Sequence, residues 1–81
     1  MRVTYSARFV RELDAAPRTI RQAFDKQLLF LLRDLRHPSL RAKKYDEARD
    51  IWQARATGSW RFYIRIDGDT YLLLTIRSHP K

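Results

Sequence analysis

Cysteine is absent from this chain of 81 residues, and histidine and glycine occur only twice each. Without cysteine no disulfide staples the fold, and two histidines without thiolates exclude the usual four-ligand structural zinc site. Glycine confined to Gly58 and Gly68 leaves nothing from which to build a glycine-rich phosphate loop. Long apolar runs are missing too. No stretch nears the roughly 20 residues of a membrane span, and Arg2, Arg8 and Arg11 interrupt any apolar signal core. The expectations are a cytoplasmic address, no membrane, no metal and no cofactor.

Acid is scarce, with 9 Asp and Glu against 17 Lys and Arg, for a formal charge of +8. Such an excess attracts polyanions, because arginines and lysines bind phosphates and release their counterions. The length allows one domain, residues 1–81. A chain this short buries only roughly 60% of its unfolded surface, so a partner that adds buried area is expected.

What is present is ordered by periodicity. Met1 to Tyr5 alternates as a strand, with Val3 and Tyr5 on one face. Ser6 is placed to cap a helix carrying Phe9, Val10 and Leu13, and Ala16-Pro17 separates it from a second. From Pro17 to about Arg36, Ile20, Phe24, Leu28, Leu31 and Leu35 recur at steps of three and four, forming a buried stripe. His37-Pro38-Ser39 stops that helix, and Leu40 to Arg49 reads as a basic connector. The period then changes to two, giving strands over Ile51–Ala56, Trp60–Ile66 and Thr70–Arg77. The predicted fold is α+β: an N-terminal strand, a helical hairpin, then a three-stranded antiparallel meander. The helices cover one face of a four-stranded sheet.

The last hairpin sets the faces. A loop of Ile66-Asp67-Gly68, with Gly68 in a left-handed bulge, puts Phe62, Ile64, Leu72, Leu74 and Ile76 on an apolar face. Arg61, Tyr63, Arg65, Tyr71, Thr75 and Arg77 then share the other. Guanidinium groups bind phosphates bidentately and tyrosine rings stack on unpaired bases, so that second face is a candidate RNA surface. Arg41, Lys43, Lys44 and Tyr45 of the connector extend it. His79 follows the last strand, at the rim of the same face, where an imidazole exchanges protons near a bound phosphate. His37 reads as a helix-end residue, and Asp46, Glu47 and Asp50 are not brought together by any spacing.

The order of these pieces resembles the RelE/ParE toxin superfamily over essentially the whole chain. The resemblance rests on Tyr5-Ser6-Ala7-Arg8-Phe9, His37-Pro38-Ser39-Leu40, Asp50-Ile51-Trp52-Gln53-Ala54-Arg55, Trp60-Arg61-Phe62-Tyr63, Leu72-Leu73-Leu74 and the closing His79. It implies the toxin of a type II toxin-antitoxin pair, a metal-independent messenger RNA endoribonuclease associated with the ribosome that inhibits translation, in which the 2′-hydroxyl attacks the adjacent phosphate. Arg61 matches the arginine that holds the scissile phosphate, Arg55 an arginine one strand earlier, and His79 a C-terminal proton-transfer histidine. Arg77 resembles a basic residue of the same tail, while Lys43 and Lys44 fall where relatives face RNA. An acidic antitoxin is implied as partner, with messenger RNA and the ribosome as targets. Two alternatives stay open: a ParE-like inhibitor of DNA gyrase, and a relative that retains only antitoxin binding.

Overall fold

The computed structural model describes residues 1–79. Strand β1 (Arg2–Tyr5) leads to helices α1 (Ala7–Ala15) and α2 (Arg18–Arg33), and a short 3-10 turn (Pro38–Leu40) follows. Strands β2 (Lys43–Asp46), β3 (Ile51–Arg55), β4 (Trp60–Asp67) and β5 (Thr70–Ser78) complete the chain. The sheet has the order β1-β5-β4-β3-β2, with β1 parallel to β5 and the other neighbours antiparallel. The α+β architecture and its one-sided helices agree with the periodicity.

Local chemistry explains the helix ends. Ser6 caps α1, its Oγ accepting from the Phe9 N–H at 3.0 Å and donating to the Leu74 carbonyl at 2.8 Å. Arg21 closes the other end of α1 by donating to the Ala16 carbonyl at 2.6 Å. Helix α2 stops at Arg33, earlier than the apolar stripe suggests, because Asp34 turns extended and its carboxylate accepts from the Arg36 N–H at 2.9 Å. The His37 N–H donates to the carbonyl of Asp34, the C-cap of α2, at 3.0 Å, while its side chain bonds elsewhere. Its Nδ1 accepts from the Ser39 N–H, and its ring stacks on Phe30 at 3.9 Å.

The apolar stripe of α2 packs onto β3, β4 and β5. Phe9 meets Phe24 at 5.1 Å between ring centroids, and Phe24 meets Phe62 edge-on at 5.2 Å. Leu31, Leu40, Ala54, Ile64, Leu73 and Ile76 seal the same layer, while Trp52 and Trp60 lie half-buried at its margin.

Two expectations are corrected. The connector is not all loop: Lys43–Asp46 pairs with β3 as a fifth strand, with a register irregularity between Lys44 and Asp46. Its residues alternate without an apolar face, so the strand arises from pairing and not from its own pattern. The last hairpin also turns elsewhere. Asp67 pairs with Thr70, leaving Gly68-Asp69 as a two-residue loop with Gly68 at φ 59°, and the bulge lies at mid-strand, where Leu74 is extra. Tyr71 and Leu73 therefore face the helices, whereas Leu72 pairs with Arg65 on the other side. Burial, followed by the charge of Asp34, pushes the Tyr71 phenol above its ordinary value.

The cause of the bulge is visible beside it. Strand β1 ends at Tyr5, opposite Leu73, and α1 covers the free edge of β5 beyond that point. Ser6 takes the Leu74 carbonyl, and Glu12 Oε1 accepts from Thr75 Oγ1 at 2.5 Å and from the Ile76 N–H at 3.4 Å.

Candidate functional site

On the face away from the helices, the register aligns Arg55, Arg61 and Arg77 across β3, β4 and β5. Like charges directly opposite one another on a sheet destabilise it. The row beside it, Gln53, Tyr63 and Thr75, is polar, and Gln53 Nε2 donates to the Tyr63 hydroxyl at 3.0 Å.

Arg61 is 8% exposed and held by its own turn. Its Nη1 donates to the carbonyls of Thr57, Gly58 and Trp60 at 3.0, 3.0 and 3.2 Å. Nε and Nη2 have no protein partner among the described residues. The same turn anchors the C-terminal tail, because the His79 N–H donates to the Ser59 carbonyl at 2.6 Å.

Beside this turn opens a cavity of about 330 Å3. Arg41, Lys43, Gln53, Ala54, Arg55, Arg61 and His79 line it, and no carboxylate is among them. Arg41 comes from the C-terminal cap of the 3-10 turn with φ 45°, a left-handed backbone uncommon outside glycine. Lys43 sits on β2 opposite Gln53. The Arg55 guanidinium is held below its ordinary value, first by loss of solvent and then by the charges of Arg61 and Arg41. Cations gathered in this way without a counter-charge form a site for an anion.

The expected residues divide accordingly. Arg55, Arg61 and His79 converge, joined by Arg41 and Lys43. Arg77 stands apart, its guanidinium over the Tyr63 ring at 5.0 Å, and lines a smaller hollow of about 210 Å3 with Tyr63, Tyr45 and Arg8. Tyr45 meets Tyr63 edge-on at 4.8 Å and is largely exposed. Arg65 is exposed between Ile51 and Leu72. Lys44 leaves this surface: it pairs with Asp50 and its ammonium lies 4.8 Å from the centroid of the Trp52 ring. Gln53 escaped the sequence reading, although the period of two that places Arg55 on this face places Gln53 there as well. Among the described residues no group of three His, Cys, Asp or Glu is placed to hold a metal ion, and no helix is long and apolar enough to cross a membrane.

The model of the family described as the ParE toxin of the type II toxin-antitoxin system, parDE, matches residues 3–81. Comparison with curated proteins finds no match. Solved structures share the fold at low identity. The YoeB/ParE toxin from Agrobacterium tumefaciens is 13% identical with a TM-score of 0.82, the match covering 99% of this chain and all of the other. For the isolated Escherichia coli RelE toxin the identity is 13% and the TM-score 0.78, over 99% of this chain and 85% of that one. In the archaeal RelE-RelB complex from Pyrococcus horikoshii the similar chain is 16% identical with a TM-score of 0.81, over 99% and 96%.

Proposed function

The chain belongs to the ParE toxin family of type II toxin-antitoxin systems, and from that premise we propose that it is an endoribonuclease that cuts messenger RNA on the ribosome and so stops translation. The observation that carries this reading is the cleft that Arg41, Lys43, Arg55, Arg61 and His79 line together without a carboxylate. A phosphodiester seated between Arg55 and Arg61 meets Nε and Nη2 of Arg61, the nitrogens its turn leaves unused. The neighbouring 2′-hydroxyl attacks phosphorus, giving its proton to water, and charge builds on the phosphoryl oxygens beside the guanidinium groups. The bond to the 5′-oxygen breaks as His79 donates a proton to it, leaving a 2′,3′-cyclic phosphate. Imidazole is the side chain suited to that transfer near neutral pH. Arg77, Tyr63, Tyr45 and Arg65 serve the flanking RNA. An acidic antitoxin that covers the basic face is the partner, in keeping with the RelB seen on the archaeal relative.

A second reading has its own support. The matched family is ParE, and Arg61 gives Nη1 to its turn instead of the cleft. A ParE-like inhibitor that grips DNA gyrase by protein contacts uses the same scaffold without a phosphate site. Controlled induction in cells separates the two. New messenger RNA 5′ ends within coding regions, with intact DNA, are expected; double-strand breaks with intact messages would transfer the assignment to gyrase.

A further inference from the structure

A second cavity of about 350 Å3 lies on the far side of Arg41 and Arg55, between α2 and the turn that joins β3 to β4. The two guanidinium-bearing side chains line both cavities, so the two hollows adjoin across a shared basic ridge. Lys26 of α2 stands on the far wall and is exposed.

The floor of this second hollow has few free hydrogen-bonding groups. Gln27 is 6% exposed and its carboxamide is fully engaged, Nε2 donating to the Ser39 and Arg55 carbonyls at 2.9 and 2.8 Å and Oε1 accepting from Ser39 Oγ at 2.9 Å. The Thr57 and Gly58 carbonyls are taken by Arg61, and Thr57 Oγ1 accepts from the Ser59 and Trp60 N–H groups. The charged groups that remain to meet a ligand are all cationic. None of Lys26, Arg41 and Arg55 takes part in an ion pair among the described residues, and no Asp or Glu lines the hollow.

We infer that this hollow is a second phosphate subsite, in which Lys26, with Arg41 and Arg55, holds the phosphodiester next to the scissile one on the same RNA strand. The inference rests on the endoribonuclease reading. It adds a strand path that runs from the His79 cleft over the Arg41–Arg55 ridge to α2, and it gives Lys26 a binding role without a part in the chemistry.

The test titrates the full-length chain with 2′-O-methylated RNA, which binds without being cut, comparing a dinucleotide carrying one phosphodiester with a trinucleotide carrying two. The wild type should bind the trinucleotide about ten-fold more tightly. Lys26→Gln should reduce that advantage to within about two-fold, lower the salt slope for the trinucleotide by about 0.7 and leave the dinucleotide unaffected. An advantage that survives Lys26→Gln overturns the subsite while the cleft stands. A variant that binds both RNAs normally but an acidic antitoxin peptide more weakly assigns the hollow to protein, and also overturns it. If the wild type binds neither RNA, the RNA reading itself falls, and the subsite with it.

Discussion

Strand β4 carries two environments one residue apart. Phe62 and Ile64 are sealed beneath the helices in the apolar core, where the Phe24 and Phe62 rings meet edge-on. Arg61 and Tyr63, 8% and 5% exposed, face the opposite way into a surface of arginines and hydroxyls. Both sets are buried, but the first is held by apolar packing and the second by hydrogen bonds to its own turn and its neighbours. On the helix side each contact removes apolar surface from water. On the other side like charges are held opposite one another, a cost that the apolar layer must offset. Stability and the candidate chemistry thus share a strand while depending on opposite faces of it.

The comparison breaks most visibly on the helix side. Phe62→Ala removes the ring that Phe24 packs against and should cost about 3–5 kcal/mol. A chain of 81 residues has a stability of only about 4–12 kcal/mol. Denaturant melts followed by circular dichroism should show a sharply lowered midpoint, with RNA binding lost only as helicity is lost. A fully stable Phe62→Ala chain would contradict the division.

Arg61→Ala probes the other face and carries two expected effects. Single-turnover cleavage should slow by about two to three orders of magnitude, equivalent to roughly 3–4 kcal/mol. Stability should fall as well, by about 1–3 kcal/mol, since the guanidinium also ties together the Thr57 to Trp60 turn. Cleavage near the wild-type rate by the folded variant would remove Arg61 from the chemistry.

His79→Gln sharpens the contrast further. The backbone bond from residue 79 to Ser59 survives the change, so the variant should melt like the wild type and bind antitoxin unchanged. Its cleavage should nevertheless drop by about two orders of magnitude. Equal rates would leave the tail a structural strap.

The smallest effect separates neighbours within one face pattern. Lys43→Ala should weaken RNA binding and lower its salt slope by about 0.7, whereas Lys44→Ala should change the slope little. Lys43 lines the cleft, while Lys44 is turned toward Asp50 and Trp52. Binding measured across a salt series checks both, and the reverse order would mean that the basic connector meets RNA differently.

How far the sequence alone reached follows the same division. The stripe of Ile20, Phe24 and Leu31 and the period of two after Asp50 are strong one-dimensional signals, and both were legible. Arg61 and His79 were brought to one face by the strand alternation and the position of the tail, whereas Arg55 joined them only through the family resemblance. Three features lay beyond reach because distant residues create them. Gln27 occupies an apolar-stripe position yet is satisfied by Ser39 and Arg55. β2 exists because β3 offers it an edge. The bulge at Leu74, which exchanges Tyr71 and Leu72 between faces, answers to Ser6 at the N-cap of α1 and to Glu12 within it.

The parallel pairing of β1 with β5 also sets the order of events during synthesis. Ser6 must wait for Leu74, 68 residues later, a delay of roughly 3–14 s at about 5–20 residues per second. Through that interval β1 has no strand to join and Ser59 has no tail to hold, so the outer pairing of the sheet and the wall of the cleft both wait for residues 70–79.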